Sequence, residues 1–157
     1  VIPFFIKQKS KGVLPITDKR MTRFSITLQA GVDFVLQCLD KMWGGELFVP
    51  KISSYRILDV AEAISPECKH EIIGTRAGEK LHEEMITQTD AQNTIEFDDY
   101  FVIVPNSEYL SWDRESFLNE SNESKGTYCK DDFSYNSGTN EKFLTVDELI
   151  ELIENHI

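Results

Sequence analysis

Three arginines stand where an anion could be held. Arg20 and Arg23 flank a short extended segment, and Arg76 lies in a glycine-containing loop, Thr75-Arg76-Ala77-Gly78-Glu79. A guanidinium fork meets two phosphate oxygens at once, and the amides at the start of a helical turn add to such a cradle. Glu79, three residues beyond Arg76, can accept hydrogen bonds from the two hydroxyls of a ribose. Arginine plus carboxylate at that spacing suits a nucleoside diphosphate better than bare phosphate. The plainer alternative is a surface Arg76–Glu79 pair, worth less than ~1 kcal/mol. His82 reads more readily as a helix-surface histidine than as a ligand contact.

Other chemistry is missing. No G-x-G-x-x-G follows a strand and no G-x-S-x-G elbow occurs, so neither a dinucleotide fingerprint nor a serine nucleophile is written here. Tyr55, Tyr100, Tyr109, Tyr128 and Tyr135 all lack a lysine four residues on. His70, His82 and His156 are scattered, and Cys38, Cys68 and Cys129 form no C-x-x-C pair, so no metal site is expected. Three unclustered cysteines suit a reducing, cytoplasmic compartment.

The elements that must position these residues are short. Pro3 near the start and Gly12 at the end frame a first helix through Phe4, Phe5 and Ile6. Residues 13–16 and 21–26 read as extended segments. Thr27 caps a helix whose Leu28, Val32, Val35, Leu36 and Leu39 fall at helical spacing, with Cys38 in the same pattern, and Gly44-Gly45 stops it. A strand at 46–49 is closed by Pro50. Residues 55–65 run from a brief strand into a helix that ends before Pro66, and 70–74 supply another strand. The loop with Arg76 then opens a single helical turn. Segments 94–97 and 100–104 make an antiparallel pair through Asp98-Asp99. Residues 106–142, rich in Asn, Ser, Asp, Glu and Gly, read as loop or partly disordered chain. Thr145 and Glu148 form a capping box for a last helix.

The 157 residues are 41% hydrophobic and 27% charged, an ordinary globular balance that allows one domain of ~100–200 residues. No apolar run approaches the ~20 residues of a membrane span. Val1 to Ile6 lack the basic flank and small-residue site of a secretory leader. Charge is unevenly placed. Residues 1–80 hold 12 basic and 9 acidic side chains, whereas 81–157 hold 4 and 18. An anionic ligand should therefore meet the first half, while the second half should repel nucleic acid. The sum is a mixed α/β chain of short elements that reads as half of something larger.

Three blocks carry a resemblance. They are Leu14-Pro15-Ile16-Thr17-Asp18-Lys19-Arg20-Met21-Thr22-Arg23-Phe24, then Gly44-Gly45-Glu46 with Phe48-Val49-Pro50-Lys51-Ile52, then Ile73-Gly74-Thr75-Arg76-Ala77-Gly78-Glu79-Lys80-Leu81-His82-Glu83. In this order they resemble the UDP-N-acetylglucosamine 4,6-dehydratases of polysaccharide and flagellin-sugar biosynthesis, in the extended short-chain dehydrogenase/reductase superfamily. The resemblance implies the C-terminal, substrate-binding part of such an enzyme, without its Rossmann cofactor core. It divides the chain into a nucleotide-sugar-binding portion at 1–104, an acidic loop-rich extension at 105–142 and a C-terminal helix at 143–157.

By that analogy Arg23 and Arg76 hold the diphosphate, Glu79 the ribose, and Ile16 and Thr17 lie near the base. Val1-Ile2-Pro3-Phe4-Phe5 resembles the segment that lies along the nucleotide. Family chemistry uses tightly bound NADP: oxidation at C4, loss of water across C5–C6, and hydride return to C6. The glycine-rich turn, the Tyr and Lys for C4 and the elimination acid/base pair have no counterpart in this sequence. No catalytic, cofactor-binding or metal residue is therefore assigned to it, and dehydration by this chain alone is not expected. The partners implied are a UDP-sugar, an N-terminal Rossmann half or its gene product, and further copies in a homo-oligomer, with no nucleic acid or membrane. A UDP-sugar 4-epimerase or reductase fragment, or a non-catalytic nucleotide-sugar-binding or assembly module, are the alternatives.

Overall fold

The computed structural model describes residues 1–105, 112–120 and 125–156. The chain passes repeatedly between two compact units. The first comprises Val1–Ser25, Ile52–Glu83 and Asn136–Ile157, and the second Ile26–Lys51 and Glu84–Tyr135.

In the first unit, helix Ile2–Lys9 carries Pro3 in its opening turn, where a missing N–H breaks no helical bond, and buries Phe5. Strand Val13–Ile16 pairs in parallel with Lys69–Ile72, Val13 opposite Lys69 and Ile16 opposite Ile72. Pro15 is tolerated there because a two-stranded pair leaves one edge of each strand without a ladder. Thr22–Phe24 pairs antiparallel with Ser54–Arg56, and Ile57–Ile64 turns at once into a helix. Its Ile57, Val60, Ala61 and Ile64, at i, i+3, i+4 and i+7, form one buried face. That face joins Phe5, Leu14, Ile16, Met21, Cys68 and Leu149 in the core. Leu149 comes from the closing helix Val146–His156, where the Thr145 amide donates to Glu148 Oε2 at 2.8 Å and the Glu148 amide to Thr145 Oγ1 at 3.3 Å, the expected capping box.

The second unit is built on a four-stranded sheet. Its order is Leu47–Pro50, Tyr100–Ile103, Thr94–Glu96, Thr127–Tyr128, with each described pairing antiparallel. Ile95, Phe97, Val102, Val104, Phe117 and Leu118 make its core. Helix Leu28–Lys41 opens as expected, the Ala30 amide donating to Thr27 Oγ1 at 3.1 Å.

Three features go beyond or against the expectations. First, the stripe of Leu28, Val32, Val35, Leu36 and Leu39, read only as helically spaced, is no part of either core. The helix has no buried residue, and Leu28 is 87% and Leu36 57% exposed. The side used against the sheet is another one, where the Phe34 ring lies 6.3 Å from that of Tyr100 and Lys41 Nζ 4.8 Å above it. Cys38 is accordingly half-buried. Second, no helical turn forms after Arg76. Residues 75–80 make a tight turn, the Glu79 amide donating to the Arg76 carbonyl at 3.1 Å. Gly74 before it and Gly78 within it stand at φ 83° and 84°, left-handed values that stop helix growth.

Third, the stretch read as loop contains helix Arg114–Glu120. Asp113 Oδ1 accepts from the amides of Glu115 and Ser116, and Phe117 packs edge-on against Trp43, 5.2 Å away. Tertiary aromatic contacts supply what local periodicity did not. Residues 106–111 and 121–124 of that stretch lie outside the described residues.

Candidate functional site

An open cleft of about 280 Å³ lies within the first unit. Its walls are apolar side chains of the first helix and the core edge: Val1, Phe4, Phe5, Pro15, Met21, Ile57 and Ile73. Thr17, Arg23, Arg76 and Glu79 supply its polar groups. Four of the five expected site residues thus meet in one place. Ile16 does not line the cleft. Its side chain is fully buried, and its carbonyl accepts from the Ile73 amide at 2.9 Å, which pins the strand end beside Thr17.

The arginines differ in what they are free to do. Arg20 is engaged by Asp18, Nε to Oδ1 at 3.0 Å and Nη2 to Oδ2 at 2.8 Å, and lies off the cleft. The same guanidinium bonds hold the Asp18 carboxyl down at about 2. Arg23 donates from Nη2 to the Lys80 carbonyl and from Nη1 to the Leu81 carbonyl, both at 3.1 Å, and its Nε lies 3.3 Å from Glu83 Oε1. Arg76 is exposed, and among the described residues its guanidinium has no hydrogen-bond or ion-pair partner. Glu79 turns one carboxylate oxygen inward, Oε2 accepting from the Arg76 amide at 2.8 Å. The side-chain pair weighed as the plain alternative is thus replaced by a carboxylate-to-amide bond that shapes the turn. A free guanidinium, a carboxylate with an oxygen to spare and an apolar floor are the groups that a nucleoside diphosphate requires.

His82 is not on a helix surface. Its Nδ1 lies 2.8 Å from Thr22 Oγ1, which in turn lies 2.7 Å from the Oγ of fully buried Ser137. Of the wall residues not singled out from the sequence, Ile57 reads as ordinary core, whereas Met21 and Ile73 lie inside the blocks that carry the resemblance. Tyr55, opposite Arg23 in the strand pair, is pushed above its usual range by burial.

The described residues do not fit a dinucleotide. Neither strand of the parallel pair leads into a glycine-rich turn that opens a helix, since Val13–Ile16 runs into Thr17-Asp18 and Lys69–Ile72 into the 74–80 turn. No described helix is long and apolar enough to cross a membrane.

The arginine-bearing apolar cleft thus lies in a mixed α/β unit of short strands, and comparison with known proteins gives the chain a family. Residues 1–105 match the family described as polysaccharide biosynthesis protein, and the chain belongs to it. A UDP-N-acetylglucosamine 4,6-dehydratase (inverting) of Campylobacter jejuni is 49% identical over 99% of this chain and 47% of its own length. A UDP-glucose 4-epimerase of Rickettsia conorii is 34% identical over 98% of the chain and 44% of its own. Among solved structures, that of Pen from Bacillus thuringiensis matches with a TM-score of 0.74 at 27% identity, covering 99% of this chain and 45% of that one. The chain spans about half the length of the curated relatives it matches. Its fold class is the one that the resemblance implied.

Proposed function

We propose that this chain furnishes the nucleotide-sugar-binding part of a UDP-N-acetylglucosamine 4,6-dehydratase. One observation carries the reading: the unpartnered Arg76 guanidinium at an apolar cleft, in a chain 49% identical to a dehydratase of that name. Arg76 takes the diphosphate, Glu79 the ribose hydroxyls, and Thr17, fixed from the core by Ile16, the base. Arg23 lines the same wall, its donors taken by the chain. NADP, when bound to the whole enzyme, supplies the hydride chemistry. The residues here do not fit that cofactor, so this chain's share is binding and orientation.

A cofactor-binding portion outside these 157 residues is the partner that the reading requires. The outward apolar stripe of helix Leu28–Lys41 supports it, because a helix left apolar towards water is normally covered. Three free cysteines are in keeping with the cytoplasm.

Calorimetric titration with UDP-N-acetylglucosamine, UDP and UMP tests the reading. Saturable binding that needs the second phosphate is expected, and Arg76→Ala should weaken it by roughly 2–3 kcal/mol, the scale of a charge-assisted contact. Unchanged affinity in that variant would remove the phosphate assignment. Equal affinity for UDP-glucose would favour the epimerase alternative.

A further inference from the structure

Arg23 lines the cleft, yet its donors are turned away from any ligand. Each of its three guanidinium nitrogens faces an acceptor of the chain itself: the carbonyls of Thr22 and Leu81 for Nη1, that of Lys80 for Nη2, and Glu83 Oε1 for Nε. The planar fork is suited to such a task, because its donors have fixed directions and can bridge several oxygens at once. The residues it holds form the C-terminal root of the 74–80 turn.

That root is clasped from two sides. From the strand Thr22–Phe24, the Thr22 amide donates to the Leu81 carbonyl at 3.0 Å, and Thr22 Oγ1 reaches His82 Nδ1. From the other side, the Ser137 amide donates to the Glu83 carbonyl at 2.8 Å, and the Glu83 amide to Ser137 Oγ at 2.8 Å. The N-terminal root is tied by the Ile73 amide to Ile16. Between the roots residues 74–80 are all exposed, with only the Arg76–Glu79 turn bonds within them. Where Arg76 and Glu79 stand over the cleft is therefore set by the roots, not by packing of the turn.

We infer that Arg23 is a positioning residue: it fixes residues 80–83 so that Arg76 and Glu79 face the cleft, and it acts on an anionic ligand through them. The inference rests on the proposed nucleotide reading of the cleft, but half of its test needs no ligand.

The ligand-free half is limited trypsin digestion of the whole chain, following cleavage after Lys80. Freeing the Lys80 and Leu81 carbonyls should raise the rate several-fold in Arg23→Ala, with the thermal midpoint monitored alongside. Glu83→Gln, which removes the ion pair and keeps the other bonds, should show a smaller rise and serves if Arg23→Ala does not fold. An unchanged cleavage rate would overturn the inference whatever the ligand does.

The second half is a double-mutant cycle with UDP, followed by calorimetry. Arg23→Ala should lower affinity about tenfold in the parent but less than twofold when Arg76 is already Ala, as expected for a residue acting through another. Arg23→Lys keeps the charge without the fork and should behave like Arg23→Ala. Equal losses in both backgrounds, or rescue by lysine, would make Arg23 a direct phosphate contact and overturn the inference. Full affinity in Arg76→Ala alone would instead sink the cleft reading and leave the trypsin result to stand or fall by itself.

Discussion

Gly138 sits against a ring that has nowhere to go, and replacing it with alanine tests the packing around the site root. A Cβ built there would lie 2.5 Å from His82 Nδ1, 2.6 Å from Cγ and 2.7 Å from Cε1. Such distances require a shift, and the ring cannot swing away without losing the Thr22 bond at 2.8 Å. Gly138 is not among the glycines at positive φ, so the cost is steric and not conformational. Overpacking of this kind costs about 1–3 kcal/mol. The loosened hydrogen bond adds roughly 1 kcal/mol. We expect Gly138→Ala to lose about 2–4 kcal/mol, which moves the thermal midpoint by roughly 5–15 °C. Circular dichroism melts with urea titrations would measure it. Gly12→Ala is the contrasting control, since Gly12 has φ 71° and nothing within 4 Å of a Cβ, so its penalty is purely that of the left-handed backbone, roughly 1–2 kcal/mol. Adding His82→Ala to Gly138→Ala should recover part of the loss, because the clashing partner is gone. An unshifted midpoint in Gly138→Ala, or strict additivity with His82→Ala, would refute the reasoning.

Two further outcomes are expected. Asp18, held at about 2 by Arg20, contributes stability that is present above its unfolded value near 3.8 and is lost as pH falls towards 2. Asp18→Asn should flatten the acid limb of a stability–pH curve in that window, and an unaltered limb would count against the Arg20 bonds. The two apolar sets should also respond differently to truncation. Leu149→Ala, at a fully buried position, should cost about 2–5 kcal/mol in urea unfolding. Leu36→Lys, on the outward stripe, should stay within ±0.5 kcal/mol and reduce self-association in sedimentation. A large loss from Leu36→Lys would mean that the stripe is already covered.

Much of the local structure was legible because its causes lie within a few residues. Thr27 meets the amide of Ala30, Thr145 meets Glu148, and Ile57, Val60, Ala61 and Ile64 share a face because a helix repeats every 3.6 residues. Asp98-Asp99 between two apolar runs gave the hairpin, Thr94–Glu96 against Tyr100–Ile103. Even the Arg76–Glu79 spacing was informative, although their bond runs from amide to carboxylate and not between side-chain charges.

Which arginine is free was not legible. Arg20 is quenched by a neighbour two residues away, but Arg23 is engaged by carbonyls 57 and 58 residues along the chain. No sequence window contains that meeting. The same holds for the outward stripe, since periodicity marks an apolar face without saying which side packs. Phe34 takes the sheet side, and Leu28, Val32 and Leu36 are left outside. It holds too for Arg114–Glu120, a helix without a strong apolar period that Trp43 anchors from 74 positions before Phe117. Short-range bonds are written in residue spacing and so belong to the sequence alone. Long-range ones depend on how distant segments of the chain meet, and here that meeting decides which charged groups are left without a partner.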